Sequence, residues 1–320
     1  MAISIMNGAV LKFEIDFTVP SGTNLSQIDV KDDLELGLDV LDVTCSVNGA
    51  DKVPGTDAGY TLTKRAFNDD IANPNSSFTL TIEDPDVINS PAEDQNIKVI
   101  VSAAVKDFSL LPAIDPATNK REFINEAHII PYVNGAPAGD ISSEETVEFS
   151  EYRLYGFGGS DTIARQKDQD TIFPIYIPTF DAYSSIDAGG NPALKYVVNL
   201  TPNPELGVTL TEDDVKVYDY NADGTVGMLV KDTDFTVDTA TAGVLKVTIP
   251  HSDKLRSSTI YIVPTGKTSD EITKHNTNPV YSRTTLSLDD DAATVLSADP
   301  FDVTTNINDD LITLVKKTLV

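Results

Sequence analysis

Apolar and polar residues alternate through most of this 320-residue sequence, and runs with helical period are nearly absent. In the segment 10–17 every second residue is apolar, from Leu11 to Phe17, and the residues between are Lys, Glu and Asp. A strand with one buried and one solvated face requires this alternation. Similar segments lie at 78–82, 97–101, 194–200, 244–249 and 259–263. Because turn residues such as Asn134-Gly135 separate them, the pattern predicts an all-β protein of the sandwich type.

The net charge of the chain argues against one class of binding partner. Fifty Asp and Glu against 23 Lys and Arg give a net charge of −27. Nucleic-acid binding through surface charge needs clustered Lys and Arg, so we expect no nucleic-acid partner. Hydrophobic residues are 40% of the chain, which is enough for a packed interior. No stretch reaches the roughly 18 to 20 apolar residues that span a bilayer, so we expect no membrane insertion.

The length of the chain predicts two domains, and a weak internal repeat supports this. Five short segments of the first half match five of the second half in the same order. The pairs are 11–18 with 194–201, 59–62 with 234–237, 78–82 with 245–249, 97–103 with 259–265, and 125–129 with 278–282. We therefore expect two copies of one β-sandwich, at 1–152 and 153–320. In the second copy, 153–190 is expected to be linker and entry, and 311–320 a last strand or a strand lent to a neighbour.

The first half also carries a recognisable order of segments. It contains Leu11-Lys-Phe-Glu-Ile-Asp-Phe-Thr-Val-Pro20, then Ile28-Asp-Val-Lys-Asp-Asp-Leu34 followed by Leu36-Gly-Leu38, and Asn125-Glu-Ala127 at the closing position. This order resembles the fimbrial-type immunoglobulin-like domains of Gram-positive pilins and surface adhesins, over most of 8–135 and more loosely over 190–290. The resemblance implies two tandem immunoglobulin-like β-sandwiches on the outside of a bacterial cell.

The resemblance further implies an intramolecular isopeptide bond between a Lys on an early strand and an Asn on the last strand, beside a buried carboxyl group. The candidates by position are Lys12 with Asn125 and Lys195 with Asn278, and Lys167 is a third possible lysine. The bond needs a buried Lys, because only a desolvated amine loses its proton readily. Lys12 and Lys195 alternate onto polar faces, so we expect them to stay protonated and the bond not to form.

The segment 219–225, Asp-Tyr-Asn-Ala-Asp-Gly-Thr, has the spacing of a calcium loop. Its candidate ligands are Asp219, Asn221, Asp223 and Thr225. The bidentate acid expected at the twelfth position is Val230, which breaks the pattern. An Asx-rich hairpin turn between 215–217 and 228–230 is therefore the preferred interpretation, and we expect no cofactor.

No set of residues in the sequence predicts an enzyme. The three histidines, His128, His251 and His275, are scattered, and the chain has no nucleophile elbow, phosphate loop or dinucleotide fingerprint. A single cysteine, Cys45, excludes an intrachain disulfide or thiolate cluster. The absence of Trp weakens a carbohydrate-binding interpretation.

Aromatic residues and glycines concentrate at the expected junction between the copies, in Tyr152-Arg-Leu-Tyr-Gly-Phe-Gly-Gly159. Tyr152, Tyr155 and Phe157 are interpreted as a packed hinge, and alternatively as a groove that captures a peptide strand from a partner.

The first functional hypothesis is a non-enzymatic structural or adhesive protein of a bacterial cell surface, a pilin or adhesin. Its expected partners are other protein subunits or host surface proteins. The start of the chain lacks the basic segment and apolar core of a secretory signal, so either the protein stays inside the cell or the sequence is a mature or recombinant piece of a longer exported chain with an anchor. We favour the second interpretation. The alternatives are a peptide- or protein-capturing module at the domain junction and a phage decoration or tail component.

Overall fold

The alternating segments of the sequence form strands in a computed structural model, which describes residues 2–164, 170–172, 174–201, 211–267, 280–288 and 298–308. Helix in these ranges is limited to α1 (Pro85–Ile88) and three single 3-10 turns at Phe108–Leu110, Glu212–Asp214 and Asp253–Leu255. The all-β prediction is confirmed. None of the described helices is long and apolar enough to cross a membrane.

The chain divides into two compact units, Met1–Glu151 and Tyr152–Val320. The strands of the first unit are β1 (Ile3–Ile5), β2 (Ala9–Val19), β3 (Gln27–Asp33), β4 (Leu38–Val47), β5 (Ala50–Lys52), β6 (Tyr60–Arg65), β7 (Ser77–Ile82), β8 (Gln95–Val105), β9 (Glu122–Val133), β10 (Ala136–Pro137) and β11 (Ile141–Glu151).

Two sheets make up the first unit. One has the order β1-β11-β9-β3-β7-β6, with β10 beside β9, and the other contains β2-β8-β4-β5. All these pairings are antiparallel except β1 with β11, which is parallel and brings Ile3 opposite Phe149. Each sheet buries every second residue of its central strands, for example Ile97, Val99 and Val101 of β8. Two sheets with one buried face each are typical of a β-sandwich.

The strands of the second unit are β12 (Phe157–Gly158), β13 (Ser160–Ala164), β14 (Asp170–Ile172), β15 (Ile175–Pro178), β16 (Tyr183–Ser184), β17 (Lys195–Thr201), β18 (Val215–Asn221), β19 (Val226–Met228), β20 (Thr236–Asp238), β21 (Leu245–Pro250), β22 (Ser258–Lys267), β23 (Val280–Ser287) and β24 (Phe301–Asn308). They form one sheet of order β13-β24-β23-β17-β21-β20 and another of order β12-β15-β22-β18-β19, with β14 beside β22. The edge pair β13 and β24 is parallel, as β1 and β11 are in the first unit.

The strand orders of the two units correspond place by place. Strands β6, β7, β8 and β9 stand where β20, β21, β22 and β23 stand, which matches four of the five segment pairs found in the sequence. The fifth pair is wrong. The segment 11–18 lies in β2, whereas 194–201 lies in β17, which takes the place of β3. The two segments look alike because each is an amphipathic strand before a proline, and that pattern carries no information about the sheet a strand joins.

A second correction concerns the segment 153–190, which we expected to be a linker. It contains β12, β13, β14, β15 and β16. The short length of these strands, two to five residues each, explains why alternation did not reveal them. The expected C-terminal strand at 311–320 lies outside the described residues.

Candidate crosslink site

A carboxylic acid lies in the interior of the first unit, on β3. Ile28, Val30, Asp32 and Leu34 occupy successive positions of one strand face, and all four are buried. Asp32 is 2% exposed. The alternation of β3 therefore directs the Asp32 carboxyl group into the interior, on the same face as the aliphatic side chains of its neighbours.

An amide lies next to this acid. On β9, Asn125 follows Phe123 and precedes Ala127 on the buried face, and it is 5% exposed. Strands β3 and β9 are neighbours, with Asp32 directly opposite Ala127. Asn125 Nδ2 donates a hydrogen bond of 2.7 Å to Asp32 Oδ2. Two adjacent strands thus place an acid and an amide in contact inside the core.

The hydrogen bonding of this pair is incomplete. Asp32 Oδ1 and Asn125 Oδ1 are both buried, and neither has a hydrogen-bond partner. Burial raises the pKa of Asp32 to about 7, against the lowering effect of the hydrogen bond from Asn125. A proton on the Asp32 carboxyl would supply a donor for the two unpaired oxygens, which otherwise can both only accept. The site therefore favours a neutral acid over a carboxylate.

Lys12 of β2 lies on the wall of a cavity that also reaches Asn125. The cavity measures ≈ 330 Å³, and its lining includes Lys12, Glu14, Asn125, Ser143 and Glu144. Lys12 itself is exposed, whereas Asn125 is buried. The structure thus brings the first candidate lysine and the first candidate asparagine to one cavity, with Asp32 hydrogen-bonded to the asparagine.

The second candidate pair has a different setting. Lys195 is half-buried in β17, opposite Pro250, and lines a separate cavity of ≈ 420 Å³. Lys195 lies in β17, which occupies the position of β3 in the strand order, whereas Lys12 lies in β2. The two lysines are therefore not at equivalent positions. Asn278 and Lys167 lie outside the described residues.

The second unit has other residues at the positions of the acid and the amide. Asp32 pairs with Phe78 on β7 and Ala127 on β9, and Leu200 pairs in the same way with Leu245 on β21 and Thr284 on β23. Leu200 therefore stands where the first unit has Asp32. Ser282, two residues before Thr284, stands where it has Asn125.

The proposed calcium loop joins β18 to β19. Asp223 Oδ1 accepts hydrogen bonds from the backbone N–H and the hydroxyl of Thr225, at 2.9 and 2.7 Å, and Asn221 Nδ2 donates to Thr225 Oγ1 at 3.0 Å. Asp219 is 6% exposed and belongs to the buried face of β18. The side chains at 221, 223 and 225 thus close a hairpin turn by bonding to one another and to its backbone. Within the described residues no group of three or more His, Cys, Asp or Glu side chains is placed to hold a metal ion.

The aromatic candidates all belong to the second unit. Tyr152 is buried, donates a hydrogen bond of 2.6 Å to the carbonyl oxygen of Pro178, and packs against Phe180 with ring centroids 5.5 Å apart. Tyr155 and Phe157 are 52% and 49% exposed. Burial raises the pKa of the Tyr152 phenol well above its ordinary value, so this hydroxyl remains a donor.

Two histidines lie in the described residues, and His251 is part of the packed interior of the second unit. His251 is 1% exposed, stacks on Phe180 at 3.8 Å, and contacts the Ala182 carbonyl oxygen through Nε2 at 2.9 Å. That carbonyl can only accept, so Nε2 carries the proton and Nδ1 accepts from the Tyr196 hydroxyl at 3.1 Å. Burial lowers the pKa of His251 to about 4, which keeps it neutral at pH 7. His128 is half-buried, and its Nδ1 lies 3.1 Å from Asp140 Oδ1.

Sequence reasoning named Asn125 but did not name Asp32. The signal was present, because Asp32 continues the phase of Ile28 and Val30 in a segment that ends at Leu34. A carboxylate in the apolar phase of a strand is uncommon and indicates a special environment.

No family model matches the sequence, and no curated protein matches it. Solved structures with a similar course of the chain include the C-terminal domain of the Streptococcus pyogenes antigen I/II-family protein AspA, at 12% identity and a TM-score of 0.38 over 95% of this chain and 94% of that one. Another is BcpA, the major pilin subunit of Bacillus cereus, at 13% identity and a TM-score of 0.35 over 96% and 67%. A third is the N-terminal domain of the Streptococcus gordonii adhesin Sgo0707, at 14% identity and a TM-score of 0.33 over 93% and 61%.

Proposed function

We propose that the chain is a non-enzymatic structural or adhesive protein of a bacterial cell surface, built of two tandem immunoglobulin-like sandwiches. We further propose that the first of these is stiffened by an isopeptide bond between Lys12 and Asn125. The observation that carries the proposal is the buried Asp32–Asn125 pair, with its two unpaired oxygens, beside a cavity that Lys12 also lines. Lys12 is exposed, as the sequence predicted, so the proposal requires its side chain to turn into this cavity and lose its proton there. It differs from our expectation from the sequence, in which Lys12 forms no bond.

The chemistry requires a neutral amine and a polarised amide. Lys12 Nζ, once deprotonated, attacks Asn125 Cγ and forms a new C–N bond. The bond from Cγ to Nδ2 then breaks, and Nδ2 leaves as ammonia with the proton that Nζ gives up. A protonated Asp32 polarises the amide and passes the proton, and its raised pKa supplies the protonated form near neutral pH. The step consumes no cofactor.

The bond would have a mechanical consequence. It would join β2 of one sheet to β9 of the other, because Lys12 and Asn125 lie in different sheets of the first unit. Closing a long loop covalently reduces the freedom of the unfolded chain and resists separation of the two sheets. A stalk or adhesin that bears load benefits from such a tie, and its net charge of −27 keeps exposed copies apart.

The first test is the intact mass of the purified protein under denaturing conditions. The wild type is expected to be lighter than the calculated mass by one ammonia, and fragmentation should place the link between Lys12 and Asn125. Lys12→Ala, Asn125→Ala and Asp32→Ala should each restore the calculated mass. Lys195→Ala is the matched control and should keep the deficit of one ammonia.

An unshifted wild-type mass would disprove the crosslink. The surface role is tested separately, by labelling intact and unpermeabilised cells of the source bacterium with an antibody against residues 2–151. Labelling only after permeabilisation would contradict that role.

A further inference from the structure

Five side chains form a continuous row across one sheet of the second unit. They are Phe157 of β12, Tyr176 of β15, Tyr261 of β22, Tyr218 of β18 and Met228 of β19, and each is the direct register partner of the next. We call these five residues the aromatic ridge. The row crosses all five strands of the sheet order at a right angle to the strand direction.

The rings of the ridge stack on one another. Phe157 and Tyr176 have centroids 5.0 Å apart with an interplanar angle of 14°, and Tyr176 and Tyr261 are 4.6 Å apart at 25°. Tyr218 follows at 6.2 Å and 35° from Tyr261. Rings lying flat on a sheet could not approach so closely, so these rings stand upright. Their faces contact each other, and their edges and hydroxyl groups are directed outward.

The ridge is open to solvent although it is apolar. Phe157 is 49% exposed and Met228 65%, and the neighbouring Tyr220 and Val226 are 43% and 52% exposed. In the five strands that the ridge crosses, the only carboxylate is Asp219, which is buried; the sixth described strand of the sheet, β14, carries the exposed Asp170. In a chain with 50 acidic residues, five neighbouring strands without an exposed carboxylate need an explanation.

The fold does not require this apolar face. Strands β2 and β8 of the first unit take the places of β15 and β22. Their outward side chains are charged, and Lys98 Nζ lies 2.7 Å from Glu14 Oε1 and 3.9 Å from Asp16 Oδ1. The same position in the same strand order thus carries ion pairs in one unit and stacked rings in the other.

The chemistry of the ridge restricts its occupant. A sugar ring stacks on aromatic faces, and in the ridge these faces are covered by neighbouring rings. Nucleic acid is repelled by the net charge of −27, and the same charge opposes a second copy of the chain. A partner must therefore present an uncharged, elongated strip with hydrogen-bond acceptors for the phenol hydroxyls.

We propose that the aromatic ridge binds a proline-rich segment of a partner protein, held in the polyproline II conformation and flanked by basic residues. Such a helix repeats every three residues, about 9.3 Å, and two strand spacings of a sheet are about 9.6 Å. A segment lying along the ridge therefore places one proline of each helical turn opposite every second ridge residue. The four spacings of the ridge, about 19 Å, accommodate about two turns.

Two further features fit this occupant. The carbonyl groups of a polyproline II helix have no internal hydrogen bonds, so the outward phenols of the ridge can donate to them. Basic flanks are attracted to the acidic surface of the chain, which speeds association. The inference deepens the adhesive role proposed above, on which it rests for its biological setting.

The test uses a fluorescein-labelled peptide of about nine prolines with two lysines at each end, and fluorescence anisotropy with the full chain. The control peptide replaces the prolines by Gly and Ser and keeps the lysines. We expect the proline peptide to bind at least about tenfold tighter. Because the chain has no Trp, its 11 tyrosines supply the intrinsic emission, and a quenching that is lost in Tyr261→Thr is assigned to the ridge.

The variants Tyr261→Thr and Met228→Glu should each weaken proline-peptide binding by about tenfold, while each keeps a cooperative thermal unfolding transition. Tyr155→Thr is the control, because Tyr155 is exposed and lies outside the ridge. Equal affinity for both peptides, or wild-type affinity in both ridge variants, would overturn the proposal. Binding of a neutral oligosaccharide but not of the proline peptide would also overturn it. None of these outcomes alters the mass test, which concerns the first unit.

Discussion

At the residue scale, the most informative group is a carboxylic acid in the phase of an apolar strand face. Asp32 is buried because its neighbours on β3 are buried, and the strand offers no alternative direction for its side chain. In the first unit this acid contacts Asn125, whereas the corresponding position of the second unit holds the aliphatic Leu200. A buried acid normally destabilises a fold, so its retention indicates a role beyond packing.

The raised pKa of Asp32 predicts a specific pH dependence of stability. The folded state holds this proton up to about pH 7, whereas an unfolded Asp loses it near its ordinary pKa of 3.8. Between these values the folded state binds more protons, so the contribution of Asp32 makes the fold less stable as pH rises from about 4 to 7. The full effect is roughly 4 kcal/mol, at about 1.4 kcal/mol for each pKa unit.

Asp32→Asn should remove this part of the pH dependence. We expect its free energy of unfolding, measured with urea, to exceed that of the parent by a margin that grows from pH 4 to pH 7. Parent and variant both carry Lys12→Ala, so that neither can crosslink. A margin that stays constant over this pH range would show that Asp32 ionises normally in the folded state.

At the element scale, the turns decide which strands meet. The turn before β6 contains Gly59, with a φ of +80°, whose carbonyl oxygen accepts a 2.7 Å hydrogen bond from the Glu83 amide. A Cβ at Gly59 would lie 2.6 Å from the backbone nitrogen of Asp84 and 2.7 Å from its Cα. Two chain segments therefore approach here as closely as a glycine permits.

Gly59→Ala should destabilise the first unit more than a positive φ alone explains. Gly22 is the matched control, because its φ is +74° and no atom lies within 4 Å of a Cβ built there. Gly22→Ala should cost about 1 kcal/mol for the left-handed backbone, and Gly59→Ala at least twice as much because backbone atoms must move. Urea unfolding of both variants measures the difference, and equal losses would contradict the close approach.

The strands also show which parts of the fold the apolar–polar alternation of the sequence predicts and which it does not. It located β2, β7, β8, β17, β21 and β22, whereas Asn125 was named from the family resemblance. It missed the strands between 157 and 184, because two to five residues are too few to establish a period. It also matched β2 with β17, since the face pattern of a strand is independent of the sheet that the strand joins.

At the scale of the whole molecule, charge is unevenly distributed along the chain. Residues 1–151 contain 26 Asp and Glu against 9 Lys and Arg, and residues 152–320 contain 24 against 14. The first unit therefore carries a net charge of −17 and the second −10. Self-repulsion of this size opposes the compact state.

We expect added salt to stabilise the protein by screening this repulsion. Raising NaCl from about 20 mM to about 500 mM shortens the screening length from roughly 20 Å to below 5 Å, and Tm should rise by several degrees. Replacing Asp69 and Asp70, both exposed, by lysine should reduce the salt dependence. A Tm independent of salt in the wild type would show that the acidic surface does not strain the fold.

The sequence alone determined the fold class, because strand alternation is a local property set by the two-residue period of an extended chain. It also determined the net charge, and with it the expectation that the chain has no nucleic-acid partner. Only the tertiary structure decided that Asp32 contacts Asn125 and that Lys12 lines a cavity with that asparagine, because these residues are far apart in the chain and strand order places them. The same is true of the aromatic ridge. Its five residues come from five strands between 157 and 261, and only the register of the sheet aligns them.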